Sequence, residues 1–271
     1  MAHNPLIDAA RLQEMLVAGP APVVIDVRWR LGGPSARQEY VSGHVPGAVF
    51  LELDQDICGP PGGRGRHPLP DPAHLQAVLR RIGLHDDSRV VVYDGGDGLA
   101  AARTWWTLRW AGLDQVYVLD AGYPAWDGPA SRDEPVPVPG DVVVRPGSMP
   151  AVDADGAREL AAAGRLVDVR TAERYRGEAE PIDPVAGHIP GAVNLPGFEA
   201  AGGRFASPDL LRERYRHLPE GRVGAYCGSG VTAARTVLGM TIAGLDPVLY
   251  VGSWSEWITD PRREIATGPK P

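Results

Sequence analysis

One cysteine in the 271-residue chain lies where a thiol could act as a nucleophile. Cys227 begins the segment Cys227-Gly228-Ser229-Gly230-Val231-Thr232, which follows the apolar run Val223–Tyr226 and precedes a helical pattern. The free N–H groups and the dipole at the start of a helix stabilise an anion. Gly228 and Gly230 let the loop curl so that several amides face one point. The sequence therefore predicts a stabilised Cys227 thiolate, the nucleophilic form of cysteine in covalent catalysis.

An internal repeat indicates which elements position this cysteine. Four segments of the first half recur in the same order in the second half. The matched pairs are Val24–Arg28 with Leu166–Arg170, Gly43–Ala48 with Gly187–Ala192, Ala101–Thr104 with Ala233–Thr236, and Gly112–Asp114 with Gly244–Asp246. Because the period is too long for a solenoid, we interpret the chain as two copies of one domain, at residues 1–128 and 151–271.

The two copies are joined by a proline-rich segment, residues 129–150. This composition favours an extended, semi-rigid conformation. We therefore expect a linker, with Val142–Val144 lying against the surface of a domain.

Each copy alternates strand and helix patterns. Asp8 and Asp153 are predicted to cap short helices, and the runs Val23–Val27 and Leu166–Val169 are predicted to be buried strands. A central strand and a long helix follow, at 90–93 and 100–111 in the first copy and at 223–226 and 232–243 in the second. This alternation predicts the α/β class, with a central, mostly parallel sheet flanked by helices on both faces in each copy.

The two copies differ at the position of the thiol. After its central strand the first copy has Asp94, where the second copy has Cys227. Sites in open parallel sheets form at the carboxyl ends of the strands. We therefore expect the second copy to be catalytic and the first copy to be inactive.

Several polar residues, by contrast, recur in both copies. They are Asp26, Arg28 and His44 in the first copy and Asp168, Arg170 and His188 in the second. Since the copy without a nucleophile keeps them, we expect them to fix strand ends and turns rather than to carry chemistry.

The composition narrows the classes of function. A net charge of −7 argues against general binding of nucleic acid. No run approaches the roughly 18 apolar residues of a membrane span, and the N-terminus does not resemble a secretion signal. Cys58 and Cys227 are the only cysteines, which suits free thiols in a reducing compartment, so we expect a cytoplasmic protein. Two distant cysteines are poor zinc ligands, and we expect neither a metal nor an organic cofactor, and no role for Cys58.

Together these motifs resemble the tandem-domain rhodaneses. The resemblance rests on the Asp-Val-Arg strand ends, the Gly-His-Ile-Pro-Gly-Ala segment at 187–192 and the Cys227 loop, and it covers essentially the whole chain. It implies two rhodanese-like domains and sulfur transfer through a persulfide on Cys227. The same loop amides, at Gly228, Gly230, Val231 and Thr232, are then expected to hold the substrate and the persulfide.

The loop sequence also bears on the sulfur donor. Cys227–Thr232 is similar to the loop of 3-mercaptopyruvate sulfurtransferases, whereas thiosulfate-preferring members usually carry basic residues where this chain has Gly228 and Ser229. Because a dianion such as thiosulfate would benefit from cations there, we expect 3-mercaptopyruvate as donor. Thiosulfate, with the same persulfide chemistry, is the alternative.

The resemblance implies roles for residues outside the loop as well. Ser229, His67 and Asp54 match a Ser-His-Asp relay. Trp29 is a separate candidate for lining the cleft, because it follows a strand end. His67 and Asp54 belong to the first half, so the resemblance implies a site at the interface between domains, where pockets are frequent. The alternatives are a loop histidine without a role for His67, and a helix cap or solvated carboxylate for Asp54.

Arg174 matches a family arginine that binds the substrate carboxylate, a role that suits a guanidinium group. A second arginine is often found near a Glu-Pro pair, but here Glu180-Pro181 is followed by Ile182 and Asp183. Arg176 is a candidate to replace it. The alternative for Arg174 is a surface arginine paired with Glu173 or Glu178.

The implied reaction starts with attack of the Cys227 thiolate on the donor sulfur and ends with transfer to a thiol acceptor, such as thioredoxin, or to cyanide. Two other functions remain open. A cysteine-dependent phosphatase would need an arginine six residues after the cysteine, but Ala233 is there and Arg235 comes too late. A sulfur-carrier or thiol-sensing module would not need the His67–Ser229 relay.

Overall fold

The computed structural model describes residues 4–197 and 203–271, which form two compact units. The first unit contains the described residues up to 59, residues 69–149 and residues 203–205. The second unit contains residues 60–68, 150–197 and 206–271. Residues 60–68, including His67, therefore belong to the unit that holds Cys227, although they fall within the first copy of the sequence repeat.

The two units share one order of strands and α-helices, and the first has an additional π-helical turn and ends in a 3-10 turn where the second ends in an α-helix. In the first unit the elements are β1 (Leu6–Ile7), α1 (Ala9–Val17), β2 (Val23–Asp26), α2 (Arg37–Ser42), β3 (Val49–Phe50), a π-helical turn (Leu53–Ile57), α3 (Pro72–Arg81), β4 (Val90–Tyr93), α4 (Leu99–Trp110), β5 (Val116–Leu119) and a 3-10 turn (Tyr123–Ala125). In the second unit they are β6 (Ala151–Val152), α5 (Ala154–Ala162), β7 (Leu166–Asp168), α6 (Ala172–Arg176), β8 (Val193–Asn194), α7 (Pro208–Tyr215), β9 (Val223–Tyr226), α8 (Val231–Ile242), β10 (Pro247–Tyr250) and α9 (Ser253–Trp257).

Each unit contains one five-stranded sheet. The strand order is β1-β5-β4-β2-β3 in the first and β6-β10-β9-β7-β8 in the second, so the two sheets have the same topology. Every strand pair of both sheets is parallel. The predicted α/β class with two duplicated domains is confirmed, and the sheets are parallel throughout rather than mostly parallel.

The elements follow from local sequence. Asp8 accepts a hydrogen bond from the N–H of Arg11 and Asp153 accepts one from the N–H of Gly156, so both predicted N-caps are confirmed. All four residues of β4 and of β9 are buried. A strand that is apolar on both faces must be covered on both faces by other elements. The central strand of each sheet therefore lies in the middle of its core, and its carboxyl end opens towards the following helix.

The polar residues shared by both copies hold strand ends, as expected. Arg28 donates to both carboxylate oxygens of Asp26 and to the carbonyl of Gly43. Arg170 makes the same contacts with Asp168 and Gly187. The structural interpretation of these pairs is confirmed.

The histidines of the recurring motif also have structural contacts. The His44 ring stacks on Tyr40 and its Nδ1 bonds the Tyr40 carbonyl. The His188 ring stacks on Tyr175 in the same way. These side chains fix the turn that leads into the third strand of each unit, β3 or β8.

The proline-rich segment lies against the first unit. Val142 is 1% exposed and donates its N–H to the carbonyl of Leu84, while Gly140 donates to the carbonyl of Arg80. The expected contact of Val142–Val144 with a domain surface is confirmed. In the part of the chain that is described, no helix is long and apolar enough to cross a membrane.

Candidate active site

Cys227 directly follows β9 and precedes α8, which begins at Val231. The thiol is 3% exposed, and the N–H of Gly230 points at its Sγ at 3.1 Å. Gly230 has φ +80, a left-handed conformation that glycine adopts without a steric penalty. Because the helix dipole and this amide both favour negative charge, the loop stabilises an anion on sulfur.

The loop is held in place by the helix that follows β10. Ser253 accepts the N–H of Cys227 on its Oγ at 3.1 Å, and the N–H of Trp254 bonds the Cys227 carbonyl at 3.0 Å. The N–H of Ser255 bonds the Gly228 carbonyl at 2.9 Å. Ser253 itself has φ +54, an uncommon conformation for a residue with a side chain, and it is fully buried.

Ser253 is therefore a site residue that the sequence analysis missed. Its position at the end of β10, the strand next to β9, could have identified it, because carboxyl ends of parallel strands meet at one edge of the sheet. Its backbone conformation could not have been read from its residue type.

His67 and Ser229 form a direct hydrogen bond. The Nδ1 atom of His67 lies 2.7 Å from Oγ of Ser229, and each residue is 6% exposed. The N–H of Arg66, next in the chain, bonds Oγ of Ser255 at 3.1 Å and fixes this segment beside α9. At Gly65 (φ +95) a Cβ would lie only 2.7 Å from the Gly252 carbonyl, so the segment approaches the loop too closely for another residue. Two members of the predicted relay are thus adjacent to the Cys227 loop.

Arg174 lies on α6 and is bound by two buried carboxylates. Its Nε and Nη2 donate to the two oxygens of Glu180 at 3.0 and 2.7 Å, and Nη2 also reaches Asp183 at 3.2 Å. Its partners are therefore not Glu173 or Glu178. Arg176, the candidate for a second carboxylate ligand, forms a bidentate ion pair with Glu178 at the surface.

Arg66 is a second site residue that the sequence analysis missed. Its Nη1 forms an ion pair with Asp183, whose side chain is 3% exposed. A Cβ placed on Gly228 would lie 2.8 Å from Nη2 of Arg66 and 3.4 Å from Nη2 of Arg174. Cations are therefore present beside the loop, although Gly228 and Ser229 supply none.

The two carboxylates between these arginines have opposite pKa shifts. Burial raises the pKa of Asp183, and Arg66 and Arg174 only partly counter it. Burial also acts on Glu180, but hydrogen bonds from Arg174 and from the N–H groups of Asp183 and Ile182 outweigh it and lower the pKa of that carboxyl. Glu180 is thus the firm counterion of Arg174.

In the first unit Asp94 has the place that Cys227 has in the second. Its Oδ1 accepts the N–H groups of Gly96 and Gly98 at 2.9 and 3.2 Å, and Oδ2 accepts that of Ala101 at 3.0 Å. Burial, with the nearby charge of Asp97, raises the pKa of Asp94 to about 6, while the three amides favour the ionised form and counter this rise. Since Gly98 precedes α4 as Gly230 precedes α8, the loop of the first copy is one residue longer.

Asp54 and Cys58 are the remaining residues on which the sequence analysis made a prediction. Asp54 lies in the π-helical turn of the first unit, and both its oxygens accept the indole N–H of Trp29 at 3.0 and 3.1 Å. Its place in a relay stays a prediction. Cys58 is buried, and burial raises the pKa of its thiol, so its thiolate is disfavoured.

Among residues 4–197 and 203–271, no group of three His, Cys, Asp or Glu side chains is placed to hold a metal ion. A duplicated α/β fold with a buried cysteine between a central strand and the start of a helix, in its second copy alone, is the arrangement expected of an enzyme that works through a thiol.

The chain was compared with known proteins. The rhodanese-like domain model matches residues 8–128 and again residues 153–260. A Pseudomonas aeruginosa protein provisionally named 3-mercaptopyruvate sulfurtransferase is 46% identical, over 96% of this chain and 95% of that protein. SseB of Mycobacterium tuberculosis, provisionally named a thiosulfate sulfurtransferase, is 43% identical over 97% of both. The crystal structure of SseA from Escherichia coli, a 3-mercaptopyruvate sulfotransferase, matches with a TM-score of 0.81 and 29% identity, over 94% of this chain and 100% of that one.

The chain belongs to the rhodanese family. It is a sulfurtransferase with two rhodanese-like domains, as its relatives along nearly the whole length are.

Proposed function

We propose that this protein takes the sulfur atom of 3-mercaptopyruvate onto Cys227 as a persulfide and passes it to a thiol acceptor. The observation that carries the proposal is the position of Sγ, 3.1 Å from the Gly230 amide at the start of α8, in the same loop as the Ser229–His67 pair. The donor is supported by the names of the P. aeruginosa and E. coli relatives.

In the first step the Cys227 thiolate attacks the thiol sulfur of the donor. A sulfur–sulfur bond forms and the bond between that sulfur and C3 of the donor breaks, with its electron pair leaving as the enolate of pyruvate. The proton of the donor thiol ends on C3, so that pyruvate and an anionic persulfide are the products and no external oxidant is needed. The hydrogen bond between Ser229 and His67 supports a role for this pair in carrying the proton, with Asp54 as the proposed third member.

The loop amides have a second task once the persulfide has formed. The outer sulfur carries negative charge, and the start of α8 favours that charge. Gly230 supplies one of the amides, and Val231 and Thr232 form the first turn of the helix. We propose that these groups hold the persulfide until an acceptor arrives.

In the acceptor step Cys227 is the leaving group instead of the nucleophile. An acceptor thiolate, such as that of thioredoxin, or cyanide in vitro, attacks the outer sulfur, and the Cys227 thiolate leaves. Because the donor product departs before the acceptor reacts, we expect ping-pong kinetics. Both cysteines are free thiols, which suits the reducing cytoplasm that we propose as the location.

Thiosulfate is a second candidate donor, and one observation favours it. The guanidinium groups of Arg66 and Arg174 lie against Gly228 and provide the positive charge that the loop sequence lacks. Initial rates with both donors under the same conditions decide the preference. A higher kcat/KM with thiosulfate would overturn the assignment of 3-mercaptopyruvate.

Intact-protein mass spectrometry tests the covalent step. After addition of 3-mercaptopyruvate, the wild-type chain should gain about 32 Da, the mass of one sulfur atom. Cys227→Ser should gain nothing, and Cys58→Ala should still gain one sulfur. A wild-type chain without the gain, or a gain retained in Cys227→Ser, contradicts the proposal.

A further inference from the structure

Two guanidinium groups from different parts of the sequence meet at one glycine of the catalytic loop. Nη2 of Arg66 lies 2.8 Å from the place that a Cβ of Gly228 would take, and Nη2 and Nη1 of Arg174 lie 3.4 and 3.7 Å from it. Gly228 directly follows the nucleophile. Any side chain at this position would push Arg66 away, so the glycine keeps both cations beside Cys227.

A single buried carboxylate fixes the spacing of the two groups. Oδ1 of Asp183 binds Nη1 of Arg66, and Oδ2 binds Nη2 of Arg174 at 3.2 Å. The Asp183 side chain is 3% exposed, whereas those of Arg66 and Arg174 are 26% and 15% exposed. Asp183 therefore lies behind the arginines and leaves their outer edges accessible.

Both arginines retain donors that their counterions do not use. In the described part of the chain, Nε of Arg66 is buried and has no hydrogen-bond partner, and Nη2 faces Gly228. A buried donor without a partner is costly, because it has lost its hydrogen bonds to water. Arg174 binds Glu180 through Nε and Nη2, while its Nη1 is directed at Gly228. Planar forks of this kind bind carboxylates with two parallel hydrogen bonds.

We propose that Arg66 supplies a second guanidinium group for the carboxylate of the sulfur donor, beside Gly228 and next to Arg174, which the family resemblance already assigns to that carboxylate, and that Asp183 is the positioning residue that sets the distance between the two groups. The inference rests on the proposed function and assigns donor recognition to Arg66, a residue of the segment 60–68 that also carries His67. A donor bound there by its carboxylate has its thiol at the carbon chain's other end, free to reach Sγ of Cys227.

The test compares a donor that has a carboxylate with one that lacks it. 1-Mercaptopropan-2-one keeps the thiol and the ketone of 3-mercaptopyruvate but has a methyl group in place of the carboxylate. Arg66→Gln should lower kcat/KM for 3-mercaptopyruvate about 30-fold, mainly through KM, as expected for loss of a charge-assisted hydrogen bond. The rate of persulfide formation from the neutral donor should change less than about threefold.

Arg64→Gln is the matched control, because Arg64 lies two residues away in the same segment and is exposed. It should leave both donors unaffected. Gly228→Ala provides a second variant, since its methyl group displaces the Arg66 guanidinium without removing the ion pair partner of Asp183. It should reproduce the loss with 3-mercaptopyruvate.

Equal losses with both donors in Arg66→Gln, or no loss with 3-mercaptopyruvate, overturn the inference. Titration of pyruvate in a calorimeter separates this result from a failure of the proposed function. If the wild-type chain forms no persulfide, the proposed function is wrong. Pyruvate binding still tests the carboxylate site in that case, because Arg66→Gln should weaken it about 30-fold. The inference about Arg66 is also overturned if the wild-type chain and Arg66→Gln bind pyruvate with equal affinity, or if neither binds pyruvate.

Discussion

Nδ1 of His67 lies 2.7 Å from Oγ of Ser229, a residue 162 positions further along the chain. Ser229 is two residues after Cys227 in the loop, so this bond connects the segment 60–68 to the nucleophile. The pair is buried, with each residue 6% exposed. Water therefore has little access to the path by which a proton would leave the donor thiol.

Loss of His67 should slow the chemical step. His67→Asn removes the ring that can take or give a proton, and we expect kcat with 3-mercaptopyruvate to fall about 100-fold. Ser229→Ala should give a similar loss, and the double variant should be little worse than either, because the two act as one unit. Steady-state kinetics measure this, with His85→Asn, at the exposed His85–Asp141 pair, as the control. Additive losses would show that the two side chains act independently.

The relay role of Asp54 can be separated from its bond to Trp29. Asp54→Asn should lower kcat at least about tenfold if the carboxylate assists His67. Trp29→Phe removes the indole N–H that Asp54 accepts but leaves the carboxylate in place, so kcat should be preserved. If Trp29→Phe is as slow as Asp54→Asn, the aspartate acts only by holding the tryptophan.

Glu180 should contribute stability that depends on pH. Its pKa is lowered in the folded chain, so its contribution is present above the unfolded value of about 4.3 and is lost as the pH falls through the folded pKa. Glu180→Gln should reduce the free energy of unfolding by roughly 2 kcal/mol at pH 7, and the difference should shrink below about pH 4. Urea denaturation at several pH values measures it, with the exposed Glu178→Gln as control. A difference that is constant with pH contradicts the assignment.

Removal of Asp94 should affect stability but not catalysis. Asp94→Ala leaves three amides without their acceptor, two of them buried and that of Gly96 partly buried, and should cost about 3 kcal/mol of unfolding free energy. Asp97→Ala, at an exposed residue of the same loop, should cost less than about 1 kcal/mol. Denaturation and kcat/KM are measured on the same samples. A large loss of activity in folded Asp94→Ala would give the first copy a direct catalytic role.

The duplicated fold could be predicted because it depends on local patterns. The Asp8 and Asp153 caps and the central strands Val90–Tyr93 and Val223–Tyr226 are found where the sequence predicts them. The long helices begin and end one residue earlier than expected. Such features are set by neighbours in the chain, so composition and spacing suffice.

The surroundings of the nucleophile could be predicted only in part. The loop motif predicts Cys227, and the family resemblance implies Ser229 and His67, but neither points to Arg66, the neighbour of His67. Its place beside the loop arises from contacts with Asp183 and Gly228, which are distant in sequence. The same holds for Arg174, whose partners Glu180 and Asp183 depend on how the chain folds back after α6.

The carboxylate of Asp94 is an anion tethered to the loop that it fills. A tethered group competes with free ligands at a high effective concentration, commonly in the millimolar range or above. A small anion in solution therefore has to displace a charge that never diffuses away before it can use the amides of Gly96, Gly98 and Ala101. One side chain thus occupies the amides of the longer loop in the first copy, whereas in the second copy the Gly230 amide faces the sulfur of Cys227.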